Sequence, residues 1–416
     1  MSRRNTIIII AAVIILIGGG LLYFYSQSNS TSTTSQQTQS ASNPFGTTPG
    51  SVSGTNGGST TGGQFGVENG NSATTSAQLL ELYKNPIAGS VIFQDATKQN
   101  MIRFTDRGTG NSYEYAPGTQ TGGPVRITNT TIPKVEEAVW SSTGDNEILR
   151  YNDGNTDTIV SFAAKINVAT SSDGTTGSLS GAFINQNIME LVANPQKSNA
   201  FGITKKSDGS GSVGVLYSFD TKTKTQIFSS PISLWNISWP TADTIALTTK
   251  PSSSNYSYLY FFNINSGSLT KILGDITGLS DVVNNNASLV AYSQSQNNIP
   301  VLDVYDIKNA GSKGLAINTL ADKCVWGQKN NTILYCAVPQ SIPSGTYPDD
   351  WYQGLVSFTD NLWMINTQTN QAQILYQIDP TQLQLDAENL QISPDDQYIT
   401  FMNKTDLTFW LLRINQ

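Results

Sequence analysis

The chain has 416 residues, of which 13% are charged, and a net charge of −7. It contains no histidine and two cysteines, which excludes Ser-His-Asp and Cys-His catalysis, His-ligated zinc and a disulfide-rich scaffold. An acidic chain without a basic cluster also argues against nucleic acid as a partner. An enzyme of this composition would use carboxylates, Lys, Tyr or a bound cofactor.

An apolar segment follows a short basic N-terminus. Residues 6–25 carry no charge and are mostly aliphatic, and about 20 such residues span a bilayer as a helix. Arg3 and Arg4 precede this segment, so the positive-inside rule places residues 1–5 in the cytoplasm and the rest of the chain outside. We expect an uncleaved signal anchor. The alternative is a cleaved signal peptide, whose apolar core is usually only about 7–15 residues long.

A polar, low-complexity segment comes next. Residues 26–78 consist mainly of Ser, Thr, Gly, Gln and Asn, with Glu68 as the only charge. Such a segment cannot bury enough apolar surface to offset chain entropy. The sequence therefore predicts a disordered linker with a reach of roughly 40 Å.

From residue 79 onward, short apolar runs alternate with turn residues, which is an all-β pattern. Two hairpin-like units recur. The first unit occurs at 138–152, 191–205, 237–250, 281–294, 324–337 and 390–403, and the second at 215–228, 258–273, 301–315 and 361–375. Two hairpins make a four-stranded blade, and a period of about 40–50 residues is typical of a β-propeller. With a degenerate copy at 90–128, the pattern predicts seven blades over residues 79–416, with six or eight as alternatives.

The last repeat lacks a fourth strand, because the chain ends at residue 416 directly after "TFWLLRINQ". Residues 79–84 belong to a segment with the same form as the segments that join the other repeats. We predict that they supply the outer strand of the last blade and so remove its exposed edge. A short helix over 79–84 is the alternative.

One repeat carries a familiar motif. "ISPDDQYITF" (392–401) resembles the Ser-Pro-Asp-Gly repeat of TolB-like and related WD40-like propellers, and "VYDIKN" (304–309) resembles the strand that follows it in that family. Other repeats keep only fragments, such as Asn194-Pro195 and Trp239-Pro240. The resemblance implies a propeller fold. Its motif is structural and carries no catalytic residue, so it implies little about function.

Cys324 and Cys336 flank the hairpin "CVWGQKNNTILYC". With a turn near Asn330 they face each other across antiparallel strands, where opposed β carbons lie about 4.5–5.5 Å apart. A disulfide therefore needs the closer, non-hydrogen-bonded pairing. We expect this disulfide, with two buried free thiols as the alternative.

The longest insertion covers residues 339–359 and contains "GTYPDDWYQG" (345–354). It connects the second and third strands of the sixth blade, on the face where propellers usually bind ligands. The aromatic side chains could stack on a sugar or anchor a protein loop. Alternatively, the aromatic side chains pack the loop against its own blade. The two aspartates are weak catalytic candidates, because glycosidase carboxylates usually come from separate strands. The predicted binding residues are Tyr347, Asp349, Asp350, Trp351 and Tyr352.

The sequence predicts no metal and no cofactor. The oxygen-rich loop at 151–158 is better explained by an ordinary Asp-Gly turn than by a calcium site.

We expect a single-pass membrane protein that displays a propeller in the periplasm or at the cell surface. There it would bind or scaffold an envelope protein or a glycan. The alternative is a carboxylate-dependent carbohydrate hydrolase, which needs two acids from different blades to converge at the channel mouth.

Overall fold

The computed structural model describes residues 78–154, 158–168, 177–185, 187–219 and 223–414. No helix within these ranges is long and apolar enough to cross a membrane. The predicted cytoplasmic segment, transmembrane helix and all of the predicted linker except its last residue precede residue 78, so they lie outside the described residues. The linker boundary shifts by one residue: Gln78 is part of the fold, because its carbonyl accepts a hydrogen bond of 2.8 Å from the Arg413 N–H.

The described chain forms seven sheets of four antiparallel strands, which confirms the seven-bladed propeller. The first strand, β1 (Leu79–Tyr83), belongs to the last blade. Blade 1 comprises β2 (Ile87–Gln94), β3 (Asn100–Asp106), β4 (Ser112–Tyr115) and β5 (Val125–Arg126). Blade 2 comprises β6 (Val135–Trp140), β7 (Asn146–Asn152), β8 (Ile159–Asn167) and β9 (Ser178–Phe183). Blade 3 comprises β10 (Ile188–Ala193), β11 (Asn199–Lys205), β12 (Ser212–Ser218) and β13 (Lys224–Ser230).

The remaining blades follow the same order. Blade 4 comprises β14 (Trp235–Ser238), β15 (Thr244–Thr249), β16 (Tyr256–Asn263) and β17 (Leu269–Thr277). Blade 5 comprises β18 (Ser280–Val283), β19 (Leu289–Gln296), β20 (Ile299–Asp306) and β21 (Gly311–Gly314). Blade 6 comprises β22 (Cys324–Trp326), β23 (Ile333–Pro339), β24 (Asp360–Asn366) and β25 (Gln371–Tyr376). Blade 7 comprises β26 (Ala387–Ile392), β27 (Tyr398–Asn403) and β28 (Phe409–Arg413), with β1 outermost. Two short helical turns complete the description: a 3-10 turn (Ala321–Lys323) before β22 and α1 (Asp349–Tyr352) in the insertion.

The first strand of each blade lies innermost, because first strands of most neighbouring blades contact one another around the ring. The second strands are covered on both faces by the adjacent blades. All six residues of β27 are accordingly buried, and its sequence "YITFMN" is nearly continuous in apolar character. The outer strands face solvent, and every residue of β21 is exposed.

The ring is closed by the N-terminal strand, as predicted. β1 pairs antiparallel with β28, with Leu79 opposite Leu412 and Leu80 opposite Leu411. The pairing gives the last blade its fourth strand and removes an open sheet edge.

The two cysteines are directly opposite each other on β22 and β23. Their Cα atoms are 4.1 Å apart, which is the short spacing of a non-hydrogen-bonded pair, and the sulfurs form a disulfide.

The Ser-Pro-Asp-Asp turn of blade 7 ties it to both neighbouring blades. Asp396 adopts a φ of 60° at the place where the family motif has glycine. Its carboxylate accepts hydrogen bonds from the N–H groups of Gln328 (2.7 Å) and Lys329 (3.1 Å) in blade 6. The Asn100 amide of blade 1 donates to Asp395 Oδ2 at 2.7 Å. The motif is therefore a link between blades, which agrees with its predicted structural role.

Gly89 shows how closely the innermost strands approach. A Cβ at this position of β2 would lie 2.1 Å from the carbonyl oxygen of Ala138 on β6. Backbone atoms cannot be moved aside as a flexible side chain can, so only glycine fits this contact.

We expect Gly89→Ala to lower the free energy of unfolding by about 1–3 kcal/mol, because the added methyl group overpacks the contact between two blades. Gly123→Ala is the matched control, since a Cβ there meets nothing within 4 Å. Denaturant unfolding followed by circular dichroism gives both values. Equal midpoints for the two variants would contradict the close packing described here.

Candidate functional site

Bulges at the start of several innermost strands present acidic side chains to the centre of the ring. The register of β6 shifts between Val135 and Glu137, and that of β10 shifts between Ile188 and Glu190. A third shift follows Glu388 in β26. A bulge changes the direction in which a side chain points. Carboxylates in strands that pack between blades can thereby reach the central channel.

Side chains from five blades line one cavity of about 320 Å³. Glu190 comes from β10, Asp281 from β18 and Asp322 from the 3-10 turn before β22. Innermost strands of five blades meet only around the ring axis, so this cavity is the mouth of the central channel. It opens on the face where each innermost strand begins. The other lining residues are polar apart from Ile237: Asn236, Ser238, Thr248, Ser280 and Asn389.

A second cavity of about 540 Å³ adjoins the first and shares Asn389 with it. Glu137, Arg150 and Glu388 line this cavity. Arg150 forms an ion pair with Glu137 and also donates to the carbonyl of Met189 at 3.3 Å. Within the described residues, the side chains of Glu190 and Glu388 have no hydrogen bond or ion pair.

The carboxyl groups at the channel mouth hold their protons more tightly than in water. The pKa of Glu190 is raised to about 7, first by burial and second by the charge of Glu137. The pKa of Asp281 is raised to about 6 by burial, against the effect of a hydrogen bond from Thr248, and Asp322 contributes to the rise. Burial also raises the pKa values of Glu137, Asp322 and Glu388. A desolvated cluster of like charges favours protonation until a cation arrives.

The insertion packs inward, which was the alternative left open by the sequence. Tyr347 is 0% exposed and Trp351 is 3% exposed. The Tyr347 ring stacks on Phe358 with centroids 5.6 Å apart, and its hydroxyl donates to the carbonyl of Pro343 at 2.7 Å. In this conformation the two rings offer no face to a ligand. Their role in ligand contact stays a prediction.

Of the other three predicted residues, Tyr352 and Asp349 join the insertion to the ring. The Tyr352 hydroxyl donates to both oxygens of Asp322, at 3.0 and 3.1 Å, and so reaches the channel mouth. Asp349 accepts a hydrogen bond of 2.7 Å from the N–H of Ser253, which lies between β15 and β16 in blade 4. Asp350 accepts one of 2.7 Å from Thr346 within the insertion. The two aspartates therefore accept hydrogen bonds from different parts of the fold.

A buried ionic cluster fastens the insertion to blades 6 and 7. The side chains of Lys323, Asp360 and Asp386 are all 0% exposed, and Lys323 Nζ lies 2.9 Å from Asp360 Oδ2 and 2.5 Å from Asp386 Oδ1. The Trp351 indole N–H donates to Asp386 at 3.0 Å, and Lys323 Nζ lies 5.1 Å from the centre of the Trp351 ring. Lys323 directly follows Asp322, so the same turn carries the insertion's anchor and a channel carboxylate.

Sequence reasoning did not identify the channel carboxylates. Three of them lie in first strands with the sequences "VEEAVW", "IMELVA" and "AENLQI", Asp281 is the second residue of β18, and Asp322 lies in the turn before β22. Aligning the repeats on their first strands reveals acidic residues at nearly equivalent positions. The bulges that expose them depend on strand pairing, which the sequence does not display.

In the described part of the chain, no group of three or more His, Cys, Asp or Glu side chains has a geometry that could hold a metal ion. No known family profile matches the chain. No curated protein matches it either.

Solved structures do resemble it. An oligogalacturonate lyase in complex with manganese aligns at 13% identity and a TM-score of 0.50, covering 80% of this chain and 97% of that protein. TolB from Acinetobacter baumannii aligns at 11% identity and a TM-score of 0.40, covering 79% of each chain. The β-propeller domain of the Trilobed protease from Pyrococcus furiosus aligns at 9% identity and a TM-score of 0.47, covering 79% of this chain and 95% of that chain.

The seven four-stranded sheets confirm the propeller fold that the sequence resemblance implies, and the likeness to the lyase is one of fold alone. Identities this low carry no information on ligand or activity.

We expect Lys323→Met to lower the free energy of unfolding by about 3–5 kcal/mol, because it leaves two buried carboxyl groups without their cation. Lys197→Met is the control: its ion pair with Asp243 is 2.7 Å long but nearly half exposed, so its loss should cost about 0–1 kcal/mol. Denaturant titration of both variants measures the difference. Equal losses in free energy of unfolding for the two variants would show that the buried ionic cluster does not stabilise blades 6 and 7.

The loss in free energy of unfolding caused by Lys323→Met should grow as the pH rises from about 5 to about 8. Burial already raises the pKa of Asp360 to about 6, against the effect of Lys323, and removing Lys323 raises it further. A carboxyl group with a higher pKa in the folded than in the unfolded chain binds its proton better when folded. The folded state therefore loses stability as the proton dissociates. If the loss in free energy of unfolding did not change with pH, the role given to Asp360 would be contradicted.

Proposed function

We propose that the propeller is a binding module that takes a basic segment of a partner protein into the mouth of its central channel. The observation that carries the proposal is the set of carboxylates from five blades around this mouth: Glu137, Glu190, Asp281, Asp322 and Glu388. In the described chain only Glu137 among them has an ion pair.

The chemistry of the mouth matches an ammonium or guanidinium group. Glu190 and Asp281 are desolvated and close to like charges, and both effects raise their pKa values. A cation entering the cavity would relieve the repulsion, release the bound proton and form charge-assisted hydrogen bonds. Neighbouring Asn236, Ser238 and Asn389 offer further hydrogen bonds around such a group.

We also propose that the module is displayed outside the cytoplasm, in the periplasm or at the cell surface, by a single transmembrane helix. Support for this comes from the sequence alone: the apolar run at 6–25, Arg3 and Arg4 before it and the polar segment at 26–78 after it. The partner would then be a protein of the cell envelope. Tyr352, which contacts Asp322, is the residue of the insertion that we place at the ligand.

Binding of fluorescein-labelled hexa-arginine peptide to the full-length chain tests the proposed function. We expect the double variant Glu190→Gln/Asp281→Asn to bind at least about tenfold more weakly, because two charge-assisted contacts are lost. The control is Asp208→Asn together with Asp379→Asn, which removes the same charge from exposed turns. Equal affinities in fluorescence anisotropy at physiological salt would rule out the channel mouth as the site.

The peptide should bind more tightly as the pH is raised from about 6 to about 8, because Glu190, whose pKa is about 7, becomes ionised over this range. In Glu190→Gln the same titration should be flatter. An unchanged slope in the variant would assign the pH dependence to other groups.

A second candidate is a carbohydrate hydrolase that uses carboxylates. The observation in its favour is that Glu190, Asp281 and Asp322 come from different blades and line one cavity. A carboxyl group with a pKa near 7, such as Glu190, can act as a general acid at neutral pH.

Release of reducing ends from neutral and acidic polysaccharides, measured with the full-length chain, tests this candidate. If it is correct, Glu190→Gln lowers the rate about 100-fold or more, because proton transfer to the leaving group is lost. Asp208→Asn leaves the rate unchanged. Absence of new reducing ends with every polysaccharide would leave only the binding function.

A further inference from the structure

A third pocket lies at the junction where the ring closes, on the same face as the channel mouth, and shares Arg107 and Glu136 with the second cavity. Its volume is about 580 Å³. Tyr83 and Pro86 come from the segment that leaves β1, and Arg107 comes from the turn between β3 and β4. Tyr113 lies on β4 and Glu136 on β6, so the pocket draws on the last blade and the first two blades.

Backbone and side-chain hydrogen bonds hold the walls of this pocket. The N–H of Arg107 donates to the carbonyl of Pro86, and the N–H of Val135 donates to the carbonyl of Arg107, both at 2.9 Å. Asp106 accepts bonds of 2.7 Å from the N–H and the hydroxyl of Thr109 through one oxygen. Its other oxygen accepts the Tyr83 hydroxyl at 3.0 Å. The pocket is thus formed before any ligand arrives.

Two tyrosine rings form its apolar surface. The rings of Tyr83 and Tyr113 are 5.1 Å apart at a tilt of 45°, and Tyr113 stacks on the buried ring of Phe104 at 5.4 Å. Both tyrosines are half-buried, so each is fixed by packing and still borders the open space. Rigid, partly exposed tyrosines provide contact area at little cost in entropy.

The pocket carries no net charge. Its two basic residues, Arg107 and Lys134, balance its two acidic residues, Asp106 and Glu136, which gives 2 − 2 = 0. Arg107 and Glu136 also form an ion pair with each other. The lining therefore favours a neutral ligand, in contrast to the acidic channel mouth.

We propose that this pocket binds a neutral saccharide. The C–H faces of a sugar ring pack against aromatic rings, and each hydroxyl both donates and accepts hydrogen bonds. The rim supplies both kinds of partner, because Arg107 and Lys134 donate while Glu136 accepts. A proline-rich peptide also packs on tyrosines, but it offers mainly carbonyl acceptors and no hydroxyl groups that could donate a further hydrogen bond to Glu136. This inference does not depend on the proposed function of the channel mouth, which takes cations.

Isothermal titration calorimetry of the full-length chain, prepared without sugar-based detergent, tests the proposal. The probes are maltohexaose, cellohexaose and mannohexaose at up to about 10 mM. Hexagalacturonate serves as the anionic probe and decaproline as the peptide probe. We expect at least one neutral hexasaccharide to bind, and neither hexagalacturonate nor decaproline to bind as tightly.

Two variants locate the site. Tyr113→Ala removes a stacking surface and should weaken binding at least about tenfold. Gly108→Leu fills the pocket without removing a contact, because a Cβ there meets only Asp106 Oδ1 at an ordinary 3.5 Å, and it should abolish binding. Tyr256→Ala is the control, since Tyr256 is 65% exposed and lies on β16 of blade 4.

Loss of saccharide binding in Gly108→Leu with full binding in Tyr256→Ala supports the site, even if Tyr113→Ala fails to fold. No binding of any neutral hexasaccharide overturns the proposal. Undiminished saccharide binding in Gly108→Leu also overturns it, because the sugar would then bind elsewhere. Tighter binding of decaproline than of every saccharide would identify a peptide pocket instead. None of these outcomes changes the result of the hexa-arginine experiment.

Discussion

The pairing of β1 with β28 is the contact on which the rest of the structure depends. It joins residues 79–81 to residues 410–412, at the two ends of the described chain, and turns a row of sheets into a ring. A ring has a central axis, and only a closed ring brings carboxylates from five blades to two adjoining cavities. The tyrosine pocket depends on the same closure, since Tyr83 ends β1 and Tyr113 belongs to blade 1.

The turn at 321–323 connects the buried ionic cluster to the mouth of the central channel. Lys323 points into blades 6 and 7, where Asp360, Asp386 and the indole of Trp351 surround it. Asp322, the preceding residue, lines the channel mouth and accepts the Tyr352 hydroxyl. The insertion is therefore positioned from both sides of one short turn. A buried cation between two carboxylates tolerates little displacement, because separating the charges exposes each of them to an apolar interior.

Much of the architecture could be predicted because its causes are local. Apolar runs separated by turn residues give the strands, their repetition gives the blades, and the missing strand at the end predicts the closure by 79–84. The cysteine pair follows from hairpin register alone, since Cys324 and Cys336 are equidistant from Asn330. The insertion was located correctly within blade 6, but its aromatic residues face inward. A sequence does not reveal which side of a loop has a surface to pack against.

The sequence by itself determined the all-β repeat and the place of the longest insertion and favoured seven blades, because turn and strand patterns act over a few residues. Only the tertiary structure decided the candidate sites. Glu190, Asp281 and Asp322 are far apart in sequence, and none stands out from other acidic residues. Ring closure brings them to one cavity, Glu190 lies at a bulge, and burial raises their pKa values. Such effects depend on the packing of different blades against one another, and no local pattern of residues records that packing.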